Sequence, residues 1–121
     1  MRTTLDKNAI NRAVNAIEAA GIAKNGIVPK QFTGYIASFG AAVIQSGLIP
    51  AVVFFEDPDA NSEEDRTALI KAIKHYLGIN DDLSKHLLAL DLTALFEKEE
   101  AIIEAAQAIK LALRTFKKSE S

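Results

Sequence analysis

Cysteine and tryptophan are absent from the 121 residues, and proline is scarce at three. Without cysteine the chain has no disulfide framework, no thiolate nucleophile and no thiolate-held zinc. The two histidines lie in Lys74-His75-Tyr76 and Lys85-His86-Leu87, not one helical turn apart, so each reads as a partly exposed structural residue. Neither charge sign dominates: 14 Lys and Arg against 16 Asp and Glu leave −2. That balance argues against a surface built wholly to grip nucleic acid and leaves local patches open. The six glycines form neither GxGxxG nor a Gly-Lys-Ser/Thr phosphate cradle. No nucleophile, base and metal converge, so no catalytic residue, cofactor or metal is expected and the chain reads as a non-enzyme.

What is present is enough apolar material, 49% of the residues, to bury one core and too little chain for two ordinary domains. One helical domain is expected over residues 1–118, with 119–121 as a disordered tail. Met1-Arg2-Thr3-Thr4-Leu5-Asp6 holds no apolar run of the signal-peptide kind and is expected to stay in the mature protein, and the lack of cysteine fits a cytoplasmic expectation. From Gln31 to Phe55 no charge occurs, a length that would span a bilayer. Yet Gln31, Thr33, Ser38, Gln45 and Ser46 are scattered through it, and Gly47 and Pro50 interrupt it. Two buried helices joined at Gly47 are the better reading.

Apolar spacing lays out an all-α bundle of five to six helices. Leu5, Ala9, Ile10, Ala13, Val14, Ile17 and Ala20 make a first stripe, with Thr3 or Thr4 as cap and a stop near Gly21. Lys24 to Val28 form a connector, and Pro29 opens a second helix carrying Phe32, Tyr35, Ile36, Phe39, Val43 and Ile44. Gly34, Gly40, Ala41 and Ala42 thin its surface, which predicts close approach of another backbone. Pro50 to Phe55 is assigned helix because a lone strand would have no ladder partner. Ser62 is expected to cap the next helix, with Leu69, Ile70, Ile73 and Leu77 inside and Gly78 as stop. Asn80 or Asp81 would cap a short helix holding Leu83, Leu87, Leu88 and Leu90. The last helix starts near Asp91 or Thr93, with Leu95, Phe96, Ile102, Ile103, Ala106, Ile109, Leu113 and Phe116 as its stripe. Asp57, Asp59 and Asn61 have the opening spacing of a calcium loop, but Ser62 and Ala68 replace the glycine and the bidentate glutamate that such a loop needs.

Charge is unevenly placed. All six charged residues between Ala51 and Asp65 are acidic, whereas Lys110 to Ser121 holds four basic residues against one acidic. Phosphate contact needs only convergent cations, and the candidates are Lys7, Arg12, Lys30, Lys71, Lys74, Lys110, Arg114 and Lys117.

One stretch, Gln45-Ser46-Gly47-Leu48-Ile49-Pro50-Ala51-Val52-Val53-Phe54, resembles the central segment of the Cmr small-subunit family of type III-B CRISPR effector complexes. In that family an apolar helix ends in Gly-Leu and is followed by an Ala-rich apolar turn closing in Phe. Gly47, Leu48, Ala51 and Phe54 stand in those positions, with Gly47 expected left-handed and Leu48 packed on the core. Ile44 stands where members often carry a basic or polar residue, so no RNA contact is carried over there. The resemblance implies a non-catalytic building block of an antiviral, RNA-guided complex. It would stack with copies of itself and other Cmr subunits along crRNA and target RNA, its cations facing the RNA backbone, with no membrane. The alternative is a helical adaptor or dimerisation module that meets no nucleic acid.

Overall fold

A computed structural model describes residues 6–59 and 66–119. Its elements are α1 (Lys7–Ala19), β1 (Ile27–Pro29), α2 (Gln31–Ser46), α3 (Leu48–Glu56), α4 (Thr67–Leu77), α5 (Leu83–Leu88), α6 (Leu92–Leu113) and β2 (Lys117–Ser119). The all-α expectation holds, and residues 50–55 are helical. No helix of the described residues is long and apolar enough to cross a membrane. The uncharged segment is instead split at Gly47 into α2 and α3, which pack on each other.

The long α6 is the spine: α1, α2 and α4 all lie against it. Ala13 and Ala16 of α1, Ala72 of α4, and Ala105, Ala108 and Ala112 of α6 have no solvent exposure. Side chains this small let the three helix axes approach closely, and Ile17, Leu69, Ile73, Ile102 and Ile109 fill the remaining volume. Close approach is therefore an alanine property here. The expectation at Gly34 and Gly40 fails, because a methyl added at either would meet nothing within 4 Å.

Gly47 makes the sharpest corner. Its N–H donates to the Val43 carbonyl while its own carbonyl accepts from Ala51, so one residue closes α2 and opens α3. The conformation is φ 96°, ψ 163°, not the left-handed helical one expected: φ is positive, but the extended ψ redirects the chain at once. Leu48, Ala51, Val52 and Phe55 then turn inward, and Phe39 meets Phe55 edge to face at 5.3 Å between ring centres. Phe54, in the family motif position, is 46% exposed and faces Arg66.

Caps were partly legible. Asp91 caps α6 by accepting from the Ala94 N–H, and Gly78 stops α4 in the left-handed conformation. Asp6 caps α1 through the Ala9 N–H; Thr3, Thr4 and Leu5 lie outside the described residues, as do Asn61 and Ser62. The Asp57 carboxylate accepts from the Asp59 N–H, a local turn bond. At α5 neither Asn80 nor Asp81 caps: the Glu56 carboxylate, from the end of α3, accepts from the Leu83 and Ser84 N–H groups.

Two short strands, β1 and β2, depart from the all-helical expectation. Pro29 belongs to β1 and does not open α2, and β1 pairs in parallel with β2, Ile27 opposite Lys117 and Pro29 opposite Ser119. Ser119, assigned above to the tail, is part of this ladder. An Asn25-Gly26 turn precedes it, both residues at positive φ, closed by reciprocal bonds between Lys24 and Ile27. The Gly26 carbonyl accepts the Lys117 N–H, tying the connection between α1 and α2 to the segment that follows α6.

Candidate nucleic-acid interface

The eight candidate cations fall into separate groups. Lys7 is exposed at the start of α1. Arg12 has a structural role: its guanidinium stacks 4.2 Å from the Tyr76 ring centre and donates to the Tyr76 carbonyl at 2.6 Å, latching α1 to α4. Lys71 and Lys74 share a cleft with Glu56 and Asp82, so their charge is locally offset.

The remaining four come to one end of the molecule. Lys30 follows Pro29 directly, Lys117 sits opposite Ile27 in the ladder, Arg114 caps α6, and Lys110 lies one turn earlier on its exposed side. The structure adds Lys24, which brackets the Asn25-Gly26 turn. It also adds Lys118, whose ammonium donates to the Leu113 and Phe116 carbonyls at the negative end of α6. Residues 19–55 and 105–119, which build this corner, contain no Asp or Glu. Sequence reasoning missed Lys24 and Lys118 because their proximity depends on the β1–β2 pairing. The Asn-Gly pair was the one local sign of a turn there.

Beside the corner runs a different surface. Between α2 and α6 an apolar cleft of about 440 Å³ is lined by Ile36, Ala37, Gly40, Ile44, Ile103 and Lys110 among others. Four residues expected inside stand outside: Ile44 is 87% exposed, Leu88 67%, Phe96 62% and Ile103 38%. Phe96 and Ile103 turn outward, while Ile102, Ile109 and Leu113 of the same expected stripe are buried together with Ala105, Ala108 and Ala112, whose small size suits the crossing of α6 with α1 and α4. Among the described residues, no group of three or more His, Asp or Glu is placed to hold a metal.

Burial raises the Tyr76 phenol above its ordinary value of 10.0, Arg12 opposing and Glu104 and Asp6 adding to the rise. Folding thus favours the neutral phenol. Its contribution to stability is complete below about pH 10 and drains as pH climbs through the raised value. Thermal melts from neutral to strongly alkaline pH should show that loss, and Tyr76→Phe should flatten it; an unchanged alkaline limb in the variant would remove Tyr76 as its source.

The fold defines a single-domain all-α protein in which a basic corner, built from residues 19–55 and 105–119 that hold no Asp or Glu, lies beside an exposed apolar helix face. The chain belongs to the CRISPR-associated protein (Cas_Cmr5) family, whose model matches residues 6–118, and is thus a small subunit of the Cmr, type III-B, CRISPR-associated system. No curated protein and no solved structure matches it at a significant level.

Proposed function

We propose that this chain is a non-catalytic structural subunit of the cytoplasmic, antiviral Cmr effector, stacked along crRNA and target RNA beside other Cmr subunits and copies of itself. The observation that carries this reading is the corner formed by Lys24, Lys30, Arg114 and Lys117, built from segments without a single acidic side chain. Cations so placed attract a phosphate backbone without reading bases, which suits a subunit whose position is set by an RNA of any sequence. Arg12 has no part in it, being committed to Tyr76. The adaptor alternative, with no nucleic acid, draws on the apolar α2–α6 face, which suits a protein neighbour.

Each phosphate contact to a single strand contributes a log–log salt slope of about −0.7. Weak binding of single-stranded RNA by the isolated chain is therefore expected at low salt and lost at physiological salt. Lys30→Glu with Lys117→Glu should lower affinity about tenfold or more and flatten the slope by about 1.4, while Lys71→Glu with Lys74→Glu should do much less. Fluorescence anisotropy with labelled RNA across a salt series measures both. Absence of salt-sensitive binding at low salt, together with failure to co-purify with Cmr proteins, would turn the assignment to the adaptor.

A further inference from the structure

We infer that Asn25-Gly26 is a deamidation site, and that its conversion puts a negative charge into the basic corner and loosens the β1–β2 pairing that builds it. The consequence for RNA rests on the phosphate-binding reading above; the chemistry at Asn25 and its effect on the strands do not. Of the six asparagines in the chain only Asn25 is followed by glycine, and among the described residues it is the one non-glycine at positive φ, 57°. Both residues are exposed, the Gly26 N–H donates to no described residue, and a methyl built at Gly26 would meet nothing within 4 Å. The turn is held by the two bonds between Lys24 and Ile27, at 2.9 and 3.1 Å, and by the Lys117 N–H on the Gly26 carbonyl at 3.2 Å. Exposed bonds of this kind open readily. Asn8, Asn11 and Asn15 lie instead within α1, where the helix and its cap engage the amide that follows each.

When the turn opens, the Gly26 nitrogen, its proton lost to hydroxide, swings onto the Asn25 side-chain carbonyl. The positive field of the corner favours the anionic nitrogen and the oxyanion that it makes. A bond forms between that nitrogen and Cγ, the Cγ–Nδ2 bond breaks, and the leaving nitrogen takes a proton from water and departs as ammonia, which returns the hydroxide. Water then opens the cyclic imide on one side or the other. Cleavage at Cγ leaves aspartate; cleavage at the backbone carbonyl leaves isoaspartate, whose chain runs through Cβ and Cγ. One water enters and one ammonia leaves, with no oxidant or reductant. Either product sets a carboxylate beside Lys24, in a stretch, residues 19–55, that otherwise holds no acid. Isoaspartate also lengthens the backbone of the tight turn by one carbon, so the bonds that join Lys24 to Ile27 and Gly26 to Lys117 lose their geometry.

The intact chain is incubated warm at mildly alkaline pH and followed by mass spectrometry after trypsin, which releases residues 25–30 as one peptide. The mass gain of an amide turned to an acid should appear in that peptide, as separate isoaspartate and aspartate forms, before any other asparagine reacts. Asn25→Gly, which suits positive φ and has no side-chain amide, should abolish it. Hydrogen exchange at the Lys117 amide should be faster in the isoaspartate form than in unreacted chain, with α4 unaffected. In the anisotropy titration Asn25→Asp, a stable stand-in for the milder product, should bind single-stranded RNA about threefold more weakly at low salt, and Asn25→Gly should bind as the parent does. Earlier reaction at another asparagine, unaltered Lys117 exchange in the isoaspartate form, or an Asn25→Asp affinity equal to the parent's would overturn the inference. A parent chain that binds no RNA would defeat the phosphate-binding reading alone, since mass and exchange still decide this one.

Discussion

Phe39→Ala should cost about 3–5 kcal/mol, a large share of the roughly 5–15 kcal/mol that holds an ordinary domain together. Phe39 is 1% exposed on α2, Phe55 is 2% exposed on α3, and their rings meet edge to face across the Gly47 corner. Removing the Phe39 ring empties a site that cannot easily collapse, because Gly47 fixes how α3 leaves α2. The informative comparison is Phe54→Ala. That residue is 46% exposed, with the Arg66 guanidinium 5.7 Å from its ring and the Phe55 ring 5.9 Å away, so about 1 kcal/mol or less is expected. Urea unfolding of the two variants should therefore differ several-fold in cost. Equal losses would mean that the α2–α3 corner is not organised around the Phe39–Phe55 pair.

The contrast between neighbouring phenylalanines shows what the sequence could and could not carry. That Ala51 to Phe55 form a helix after a glycine break was readable from composition and context, and the family pattern marked the same place. Which phenylalanine faces inward was not, because the positive φ and extended ψ at Gly47 set the phase of α3, and that angle leaves no trace in residue spacing. A similar limit applied to α6. Periodicity puts Phe96 and Ile103 in one stripe with Ile102, Ile109 and Leu113; only these last three are buried, and beside them the crossing of three helices selects Ala105, Ala108 and Ala112 for their size. Of the eight candidate cations four, Lys30, Lys110, Arg114 and Lys117, belong to the basic corner, which was illegible as a place. Only the pairing of Ile27 with Lys117, between three-residue strands far apart in sequence, sorts Lys30 and Lys117 from Arg12 and Lys71.

Glu56→Ala should cost about 2–3 kcal/mol, the largest effect expected from any polar side chain here, although local rules place no cap at that residue. Its carboxylate accepts the Leu83 and Ser84 N–H groups across 27 and 28 residues of sequence, where the first turn of α5 would otherwise leave donors without a partner. The nearer acids are engaged elsewhere: Asp82 pairs with Lys85 at 3.8 Å and Asp81 lies 3.5 Å from His86 Nδ1. A helix of six residues cannot hold itself by propensity, so α5 depends on Leu83 and Leu87 inside and on this remote carboxylate. Charge adds to the bond, since the N–H groups carry the positive end of the helix dipole. Glu56→Gln, which keeps an acceptor and loses the charge, should recover roughly half of the stability lost in Glu56→Ala. Melting curves measure the global cost. Hydrogen exchange at Leu83 and Ser84 locates it, because faster exchange there, with α1 and α6 unaffected, is the signature of a released cap. An alanine variant within 0.5 kcal/mol of the parent chain would show that water serves those two amides as well as Glu56 does.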